Sequence, residues 1–228
     1  MGKVKEKLLL IQPHSDDILF SCSHYLFFPE KYEVQVLTVE NDEKRISEDA
    51  KLYDFLGIPF HHLEVDFRDE SYYGFNKEYK EVTIENTYEY LNKYFGKDTL
   101  NEIEYELMEW INKFMKKNKG YVIVAPWGVG HPFHLFVRDT LEKFISIMYY
   151  YREFPHSYKR RSQAQVEKQK SAGNYWLKES VDVKEFHDIK WKLASKFYRS
   201  QSGLQFYEQG YIKKQLPEEI YQKDDLPF

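Results

Sequence analysis

The sequence contains a single cysteine among 228 residues, and this scarcity excludes any disulfide bond within the chain. No apolar run approaches the length of about 20 residues that a membrane-spanning helix needs. The mean hydropathy of -0.70 agrees with a soluble protein. The N-terminus also lacks the apolar core of a secretory signal peptide, because its charged residues lead directly into a short apolar segment. These absences predict a cytoplasmic protein.

A strongly basic character is absent as well. The chain has 33 Lys and Arg residues against 37 Asp and Glu residues, for a net charge of -4, and its basic residues form no long block. Nucleic-acid binding therefore has no electrostatic basis. No G-x-G-x-x-G motif follows the first predicted strand, so a nucleotide cofactor is not indicated. The chain length predicts one domain over residues 1–228.

An apolar segment near the N-terminus, residues 8–11, ends abruptly in a cluster of polar residues. Four aliphatic residues closed by Gln-Pro are typical of a strand that is buried on both faces of a parallel sheet, and chemistry commonly occurs at the carboxyl end of such a strand. His14 and Asp17 can turn toward one metal ion, while Asp16 between them stays free to handle a proton. The alternative is an Asp N-cap beside a hydrogen-bonded His, so a third ligand is needed from elsewhere.

A second predicted strand, residues 121–125, also ends in candidate ligands. The segment after it, residues 126–134, is rich in Gly and Pro and is predicted to be an irregular loop. This loop carries two histidines, His131 and His134, three positions apart. The second strand end can therefore offer ligands as the first one does.

Elsewhere along the chain, predicted strands alternate with predicted helices. Strands are expected at residues 32–39, 60–66 and 147–154, and a capping box at residues 99–102 is expected to begin a long amphipathic helix. Residues 159–173 are charged and weakly patterned, so we expect a mobile loop there. This alternation predicts a Rossmann-like three-layer α/β/α sandwich with a mainly parallel sheet.

Taken together, these segments resemble the PIG-L/LmbE family of zinc-dependent N-acetyl-sugar deacetylases. Residues 13–17, Pro-His-Ser-Asp-Asp, match the family's (A/P)-H-P-D-D motif, and residues 131–134, His-Pro-Phe-His, match its H-P-D-H motif. Residues 45–57 are similar to its R-x-x-E helix followed by Leu-Gly. Three later segments follow the family's C-terminal pattern, namely residues 151–155, 198–201 and 207–211. The order and spacing of these six motifs carry the resemblance along the whole chain.

The resemblance implies a metal centre and a reaction. His14, Asp17 and His134 match the metal ligands of the family, and Asp16 matches its general base. The implied cofactor is zinc or another divalent metal ion. The implied reaction is removal of the acetyl group from an N-acetylated amino sugar or its glycoside by metal-activated water, because a bound metal lowers the pKa of water toward about 7.

Three further residues match positions that the family uses around the substrate. Arg45 matches a substrate-binding arginine, His131 the histidine that assists the tetrahedral intermediate, and Tyr198 a tyrosine that polarises the carbonyl. One departure bears on activity, since Phe133 stands where the family has an Asp that orients the neighbouring histidine. We therefore expect His131 to be less basic or differently aimed than in the family.

Two alternatives stay open beside the deacetylase. One is a non-catalytic sugar-binding member of the same fold, and the other is a hydrolase that acts on another amide or ester with the same metal. The oligomeric state, a homo-oligomer included, is also left open. The remaining histidines are expected to lie on the surface or in the core with their ring nitrogens hydrogen-bonded, and not to bind a metal. They are His24, His61, His62, His156 and His187.

Overall fold

The computed structural model describes residues 4–65, 67, 85–146, 148–171, 175–199 and 216–223. Within these ranges seven strands form one sheet: β1 (Glu6–Gln12), β2 (Tyr32–Thr38), β3 (Phe60–His62), β4 (Tyr121–Pro126), β5 (Met148–Tyr151), β6 (Tyr175–Val181) and β7 (Glu218–Lys223). Their order across the sheet is β3-β2-β1-β4-β5-β7-β6. Strands β1 to β5 pair in parallel, whereas β7 pairs antiparallel with both β5 and β6.

The helices of the described ranges lie between these strands. They are α1 (Asp17–Ser21), α2 (His24–Phe27), α3 (Glu43–Leu56), α4 (Thr87–Phe95), α5 (Lys97–Lys117), α6 (Pro132–Glu142), α7 (Gln163–Ser171) and α8 (His187–Phe197). Two short 3₁₀ turns, His156–Tyr158 and Arg160–Ser162, precede α7. No helix in the described parts of the chain is long and apolar enough to cross a membrane.

Strand β1 is covered on both faces, as its run of aliphatic residues predicts. Leu8 and Leu10 pack into one core with residues of α1, α2, α3 and α8. Leu9 and Ile11 point the other way and pack into a second core with residues of α4, α5 and α6. Because successive side chains of a strand face opposite sides, one apolar run can support two helix layers. The predicted three-layer α/β/α sandwich with a mainly parallel sheet is confirmed.

The strand order places two loops side by side. From β1 the chain adds β2 and β3 on one side of the sheet, and then crosses to add β4 and β5 on the other side. In such sheets the crevice outside the carboxyl ends of the strands at this switch point is the usual ligand site. The segment after β1 and the segment after β4 therefore meet, and these are the two segments that carry the candidate ligands.

Several local predictions were wrong in their boundaries or type. The expected mobile loop at residues 159–173 contains a 3₁₀ turn and α7, whose buried side chains are only Val166 and Gln169, so its sequence shows little periodicity. Helix α5 begins at Lys97 after Gly96, which places the expected capping box inside the helix. The strand expected at residues 60–66 ends at His62. The irregular loop ends earlier than expected, because α6 already begins at Pro132.

Candidate metal centre

Three side chains from the two neighbouring strand ends converge on one point. The Nδ1 atom of His14 lies 3.0 Å from Nε2 of His134. The Oδ2 atom of Asp17 lies 3.5 Å from Nδ1 of His14 and 3.3 Å from Nε2 of His134. All three residues are buried. The structure thus brings together the three side chains that the sequence predicts as metal ligands.

The separations within this group fit a tetrahedral metal site. Zinc–ligand bonds of about 2.0–2.1 Å imply ligand atoms about 3.3–3.4 Å apart at the corners of a tetrahedron. The observed separations of 3.0, 3.3 and 3.5 Å span this value. Two imidazole nitrogens and one carboxylate oxygen are also ligand types of catalytic zinc, which keeps a fourth position open. The residues present therefore fit a zinc-class divalent ion.

The backbone between β1 and α1 explains why His14 and Asp17 face each other. Oδ2 of Asp17 accepts a 2.9 Å hydrogen bond from the backbone N–H of His14, which closes a tight loop. Asp16, at the N-cap of α1, has a φ of 90°, in the left-handed region that Asp tolerates better than most residues. As a whole residue Asp16 is less buried than His14 and Asp17. Asp16 therefore lies beside the group and next to Asp17 in the sequence.

The loop between β4 and α6 positions the two later histidines. Gly128 and Gly130 have φ values of 77° and 84°, and a Cβ atom at either position would lie within 2.9 Å of neighbouring backbone. Both positions therefore require glycine. His131 then forms the N-cap of α6 and Pro132 begins the helix, a position that suits proline because its missing N–H would be unpaired there. His134 lies one turn further on, inside the helix.

His131 extends the ligand group to three histidines. One ring nitrogen from each of His14, His131 and His134 lies within 4.8 Å of the others, so these buried residues could together hold a metal ion. However, Nδ1 of His131 accepts a 3.3 Å hydrogen bond from the backbone N–H of Phe133. A neutral imidazole that accepts at Nδ1 carries its proton on Nε2, which then acts as a donor and not as a ligand. Asp17 is therefore the better third ligand.

Burial and neighbouring charges shift the pKa values of these residues in opposite directions. Burial, joined by His134 and His14, lowers the pKa of His131 well below its usual range, so this ring is neutral. Burial acts to raise the pKa of Asp17, but His134 and His14 outweigh it and hold that pKa far below its usual range. Asp17 is thus ionised, the form that binds a cation.

Arg45, the predicted substrate-binding residue, lies near this group in the first turn of α3. Its Nη1 atom donates a 2.8 Å hydrogen bond to Oε2 of the buried Glu40, which follows β2. Burial and the charge of Asp17 raise the pKa of Asp16 well above its usual range, and the positive charge of Arg45 acts in the opposite direction. The guanidinium is therefore within electrostatic reach of the candidate base.

Tyr198 is buried, and its hydroxyl donates a 2.6 Å hydrogen bond to Oδ1 of Asp49. The carboxylate of Asp49 also accepts hydrogen bonds of 2.8 Å from Gln12 and from Thr38. Gln12 in turn accepts a 3.3 Å hydrogen bond from the backbone N–H of Ile18 in α1. The structure therefore joins Tyr198 to a buried network that supports the loop between β1 and α1. The other two residues of its motif, positions 200 and 201, and the motif at 207–211 lie outside the described residues.

Phe133, the main departure from the family pattern, belongs to the hydrophobic core. It is fully buried, with ring centroids 4.7 Å from Phe67, 5.8 Å from Phe136 and 5.5 Å from His14. The side chain thus fills space between the core and the first candidate ligand. The main chain of Phe133 still contacts the neighbouring histidine, because its backbone N–H donates a 3.3 Å hydrogen bond to Nδ1 of His131.

Two residues beside the site were not predicted to be there. The ring of His156, expected elsewhere, lies edge-on to His131 and His134 with centroids 4.9 and 5.4 Å away. Glu153 is fully buried, and its Oε1 lies 3.7 Å from Nδ1 of His134. Glu153 is an acidic residue near the end of the strand predicted at residues 147–154, and a carboxylate in a buried strand is the signal that could have drawn attention to it.

Solved structures with the same fold include two deacetylases. The zinc-inhibited form of teicoplanin deacetylase Orf2 has a TM-score of 0.62 and 16% sequence identity, with coverage of 97% of this chain and 100% of that chain. The A40926 pseudoaglycone deacetylase Dbv21 has a TM-score of 0.57 and 16% identity, with coverage of 96% and 97%. No protein-family model matches the chain, and no curated protein matches it significantly. At such identities the similarity shows a shared fold.

Proposed function

We propose that this protein is a metal-dependent hydrolase of the PIG-L/LmbE type, which removes the acetyl group from an N-acetylated amino sugar or its glycoside. The observation that carries the proposal is the convergence of His14, Asp17 and His134 at separations of 3.0 to 3.5 Å, at the switch point of the sheet. The fold shared with two deacetylases and the motif order in the sequence support it. One domain over residues 1–228 and a cytoplasmic location remain predictions of the sequence.

In this proposal His14, Asp17 and His134 hold zinc or another divalent ion. When bound, the ion supplies a Lewis acid that polarises the amide carbonyl and makes water more acidic. Asp16 accepts the proton of the attacking water at its carboxylate and later delivers it to the leaving amine. Burial and the charge of Asp17 raise the pKa of Asp16 above its usual range, which makes this carboxylate a stronger base.

The neutral ring of His131 is the proposed donor to the carbonyl oxygen. With Nδ1 accepting from the backbone N–H of Phe133, the ring carries its proton on Nε2, the atom proposed to donate to the oxyanion of the tetrahedral intermediate. Arg45 is proposed to bind the sugar, anchored through Glu40. The predicted role of Tyr198 in polarising the carbonyl would require its hydroxyl to turn away from Asp49.

Acetate release from a panel of N-acetylated sugars and their glycosides tests the proposal. We expect release from at least one of them, loss of release after treatment with a chelator, and recovery on adding zinc. The Asp16→Asn variant, fully loaded with metal, is the matched control and should release about a hundredfold less. If the loaded wild-type protein releases no acetate but binds one of the sugars, the sugar-binding alternative is correct. Release of a different acid from other amides or esters would instead favour the second alternative.

A further inference from the structure

Glu153 lies between the candidate metal centre and the loop that leads from β4 to the candidate ligand His134 at the start of α6. It follows β5 and is fully buried. Its Oε1 atom accepts hydrogen bonds from the backbone N–H groups of Gly128 and Val129, the latter at 3.1 Å. One carboxylate oxygen therefore anchors the loop between β4 and α6.

Two buried polar atoms beside this anchor have no hydrogen-bond partner within the described ranges. They are Nδ1 of His134 and Oε2 of Glu153. The two residues approach each other, with Nδ1 of His134 only 3.7 Å from Oε1 of Glu153 and both side chains 0% exposed. A buried donor or acceptor without a partner is unfavourable and rare in native proteins. A proton on Nδ1 of His134, shared with Glu153, would satisfy both atoms after a small movement.

The two nitrogens of His134 face different carboxylates. Nε2 faces Asp17 and the point where the three candidate ligands converge, whereas Nδ1 faces Glu153. A histidine that binds a metal through Nε2 must carry its proton on Nδ1. A carboxylate that accepts this proton fixes both the tautomer and the plane of the ring.

We infer that Glu153 is the positioning residue of the metal centre, which accepts the Nδ1 proton of His134 and at the same time holds the loop through Gly128 and Val129. The inference rests on the proposed metal centre and extends it. It assigns to one side chain two tasks that are otherwise separate, the orientation of a ligand and the attachment of the segment that carries it. It also explains a fully buried acidic residue that has no Lys or Arg among its described contacts.

Glu153→Gln is the informative variant. The amide oxygen of Gln can still accept from the backbone of Gly128 and Val129, so the loop should remain in place. The amide nitrogen is a donor, and a donor beside Nδ1 favours the tautomer of His134 that carries its proton on Nε2. That tautomer cannot bind a metal through Nε2. We therefore expect zinc affinity, measured by chelator competition, to fall about 10- to 100-fold.

Glu218→Gln is the matched control. Glu218 is equally buried, but it lies in β7 and bonds to Ser23, His24 and Lys190 instead of the metal centre. Its replacement should lower the melting temperature of the metal-free protein and leave zinc affinity within about twofold of the wild type. The visible spectrum of the Co²⁺-loaded protein should change in Glu153→Gln and not in Glu218→Gln, because it reports the geometry of the ligands.

The wild-type protein offers a test that does not depend on how a variant folds. In long-range ¹H–¹⁵N spectra of the zinc-loaded protein, His134 should be protonated at Nδ1. Protonation at Nε2, or zinc affinity and a Co²⁺ spectrum in Glu153→Gln that equal those of the wild type, would overturn the positioning role alone. A wild-type protein that binds no divalent ion would overturn the metal centre and this inference together.

Discussion

The hydroxyl of Tyr198 donates a 2.6 Å hydrogen bond to Asp49, across 149 positions of the sequence. Asp49 lies in α3 and Tyr198 directly follows α8, so this bond joins two helices of the same layer. Burial raises the pKa of Asp49 to about 7, against the effect of its hydrogen bonds to Tyr198 and Thr38. These bonds therefore stabilise the ionised form of a carboxylate that has no access to solvent.

The first prediction follows from this pair. Tyr198→Phe removes one donor from a buried carboxylate and should lower the free energy of unfolding by about 1–3 kcal/mol. Tyr53→Phe is the control, since its hydroxyl donates a longer 3.2 Å hydrogen bond to the neutral Gln12 and should matter less. Urea unfolding measures the change in the free energy of unfolding for both variants. A loss of kcat near a hundredfold without loss of stability would instead assign the Tyr198 hydroxyl to the substrate carbonyl.

The main features of the fold could be predicted because they depend on short segments. The aliphatic residues Leu8 to Ile11 must be buried, and a strand covered by helices on both faces buries all four. The polar residues that follow the carboxyl ends of β1 and β4 then lie at the same edge of the sheet. Strand β6 could not be predicted in the same way, because none of its residues is buried and its sequence gives no consistent alternation.

The site could be predicted only in part. His14, Asp16, Asp17, His131 and His134 lie in two short motifs whose spacing carries information. Their surroundings depend on pairs that are distant in the sequence and have no local signature, such as Glu153 with His134 and Tyr198 with Asp49. The burial of Phe133 against Phe67 is likewise a tertiary contact.

The second prediction separates the proposed base from the proposed ligand. Asp16→Asn leaves the three ligand atoms in place, so metal content should persist while kcat falls by about a hundredfold or more. Asp17→Asn keeps an oxygen that can accept from the backbone N–H of His14, but it loses the charge that a cation binds, so metal affinity should fall. Metal analysis and acetate release distinguish the two variants. The reverse pattern would exchange the two roles.

The third prediction decides between His131 as donor and His131 as ligand. His131→Ala should retain one metal ion per chain while kcat falls by about two to three orders of magnitude, the scale of losing one oxyanion donor. His156→Ala is the control, because its ring adjoins His131 and His134 without a proposed role. That variant should keep kcat within about threefold. Loss of metal from His131→Ala would show that the three histidines form the ligand set.

The fourth prediction concerns the residue at which the sequence departs from the family pattern. Because Phe133 is fully buried among aromatic rings, Phe133→Asp places a charge in an apolar site and removes a large core side chain. We expect it to lower the free energy of unfolding by at least about 3–5 kcal/mol, the range for truncating a buried Phe. Phe133→Leu should cost far less. A stable, more active Phe133→Asp variant would mean that Phe133 had weakened the catalysis.

The last prediction tests the buried ion pair that joins β7 to α8, outside the metal centre. Burial acts to raise the pKa of Glu218, but Lys190 and His24 outweigh it and lower that pKa to about 2. An unfolded Glu titrates near 4.3, so Glu218 stabilises the fold above about pH 4.5 and loses this effect as the pH falls toward about 2.

At about 1.4 kcal/mol per pKa unit, the lowered pKa of Glu218 corresponds to a contribution of about 3 kcal/mol to the free energy of unfolding. Glu218→Gln should therefore destabilise the protein at pH 7 by about 3 kcal/mol or more, because Lys190 is left buried without its counter-charge. The difference in unfolding free energy between wild type and variant should shrink by about 2–3 kcal/mol as the pH falls from about 4.5 to about 2. Denaturant unfolding of both proteins at several pH values measures this difference. A difference that stays constant over this range would mean that Glu218 is not held ionised by Lys190 and His24, and that its hydrogen bonds alone support β7.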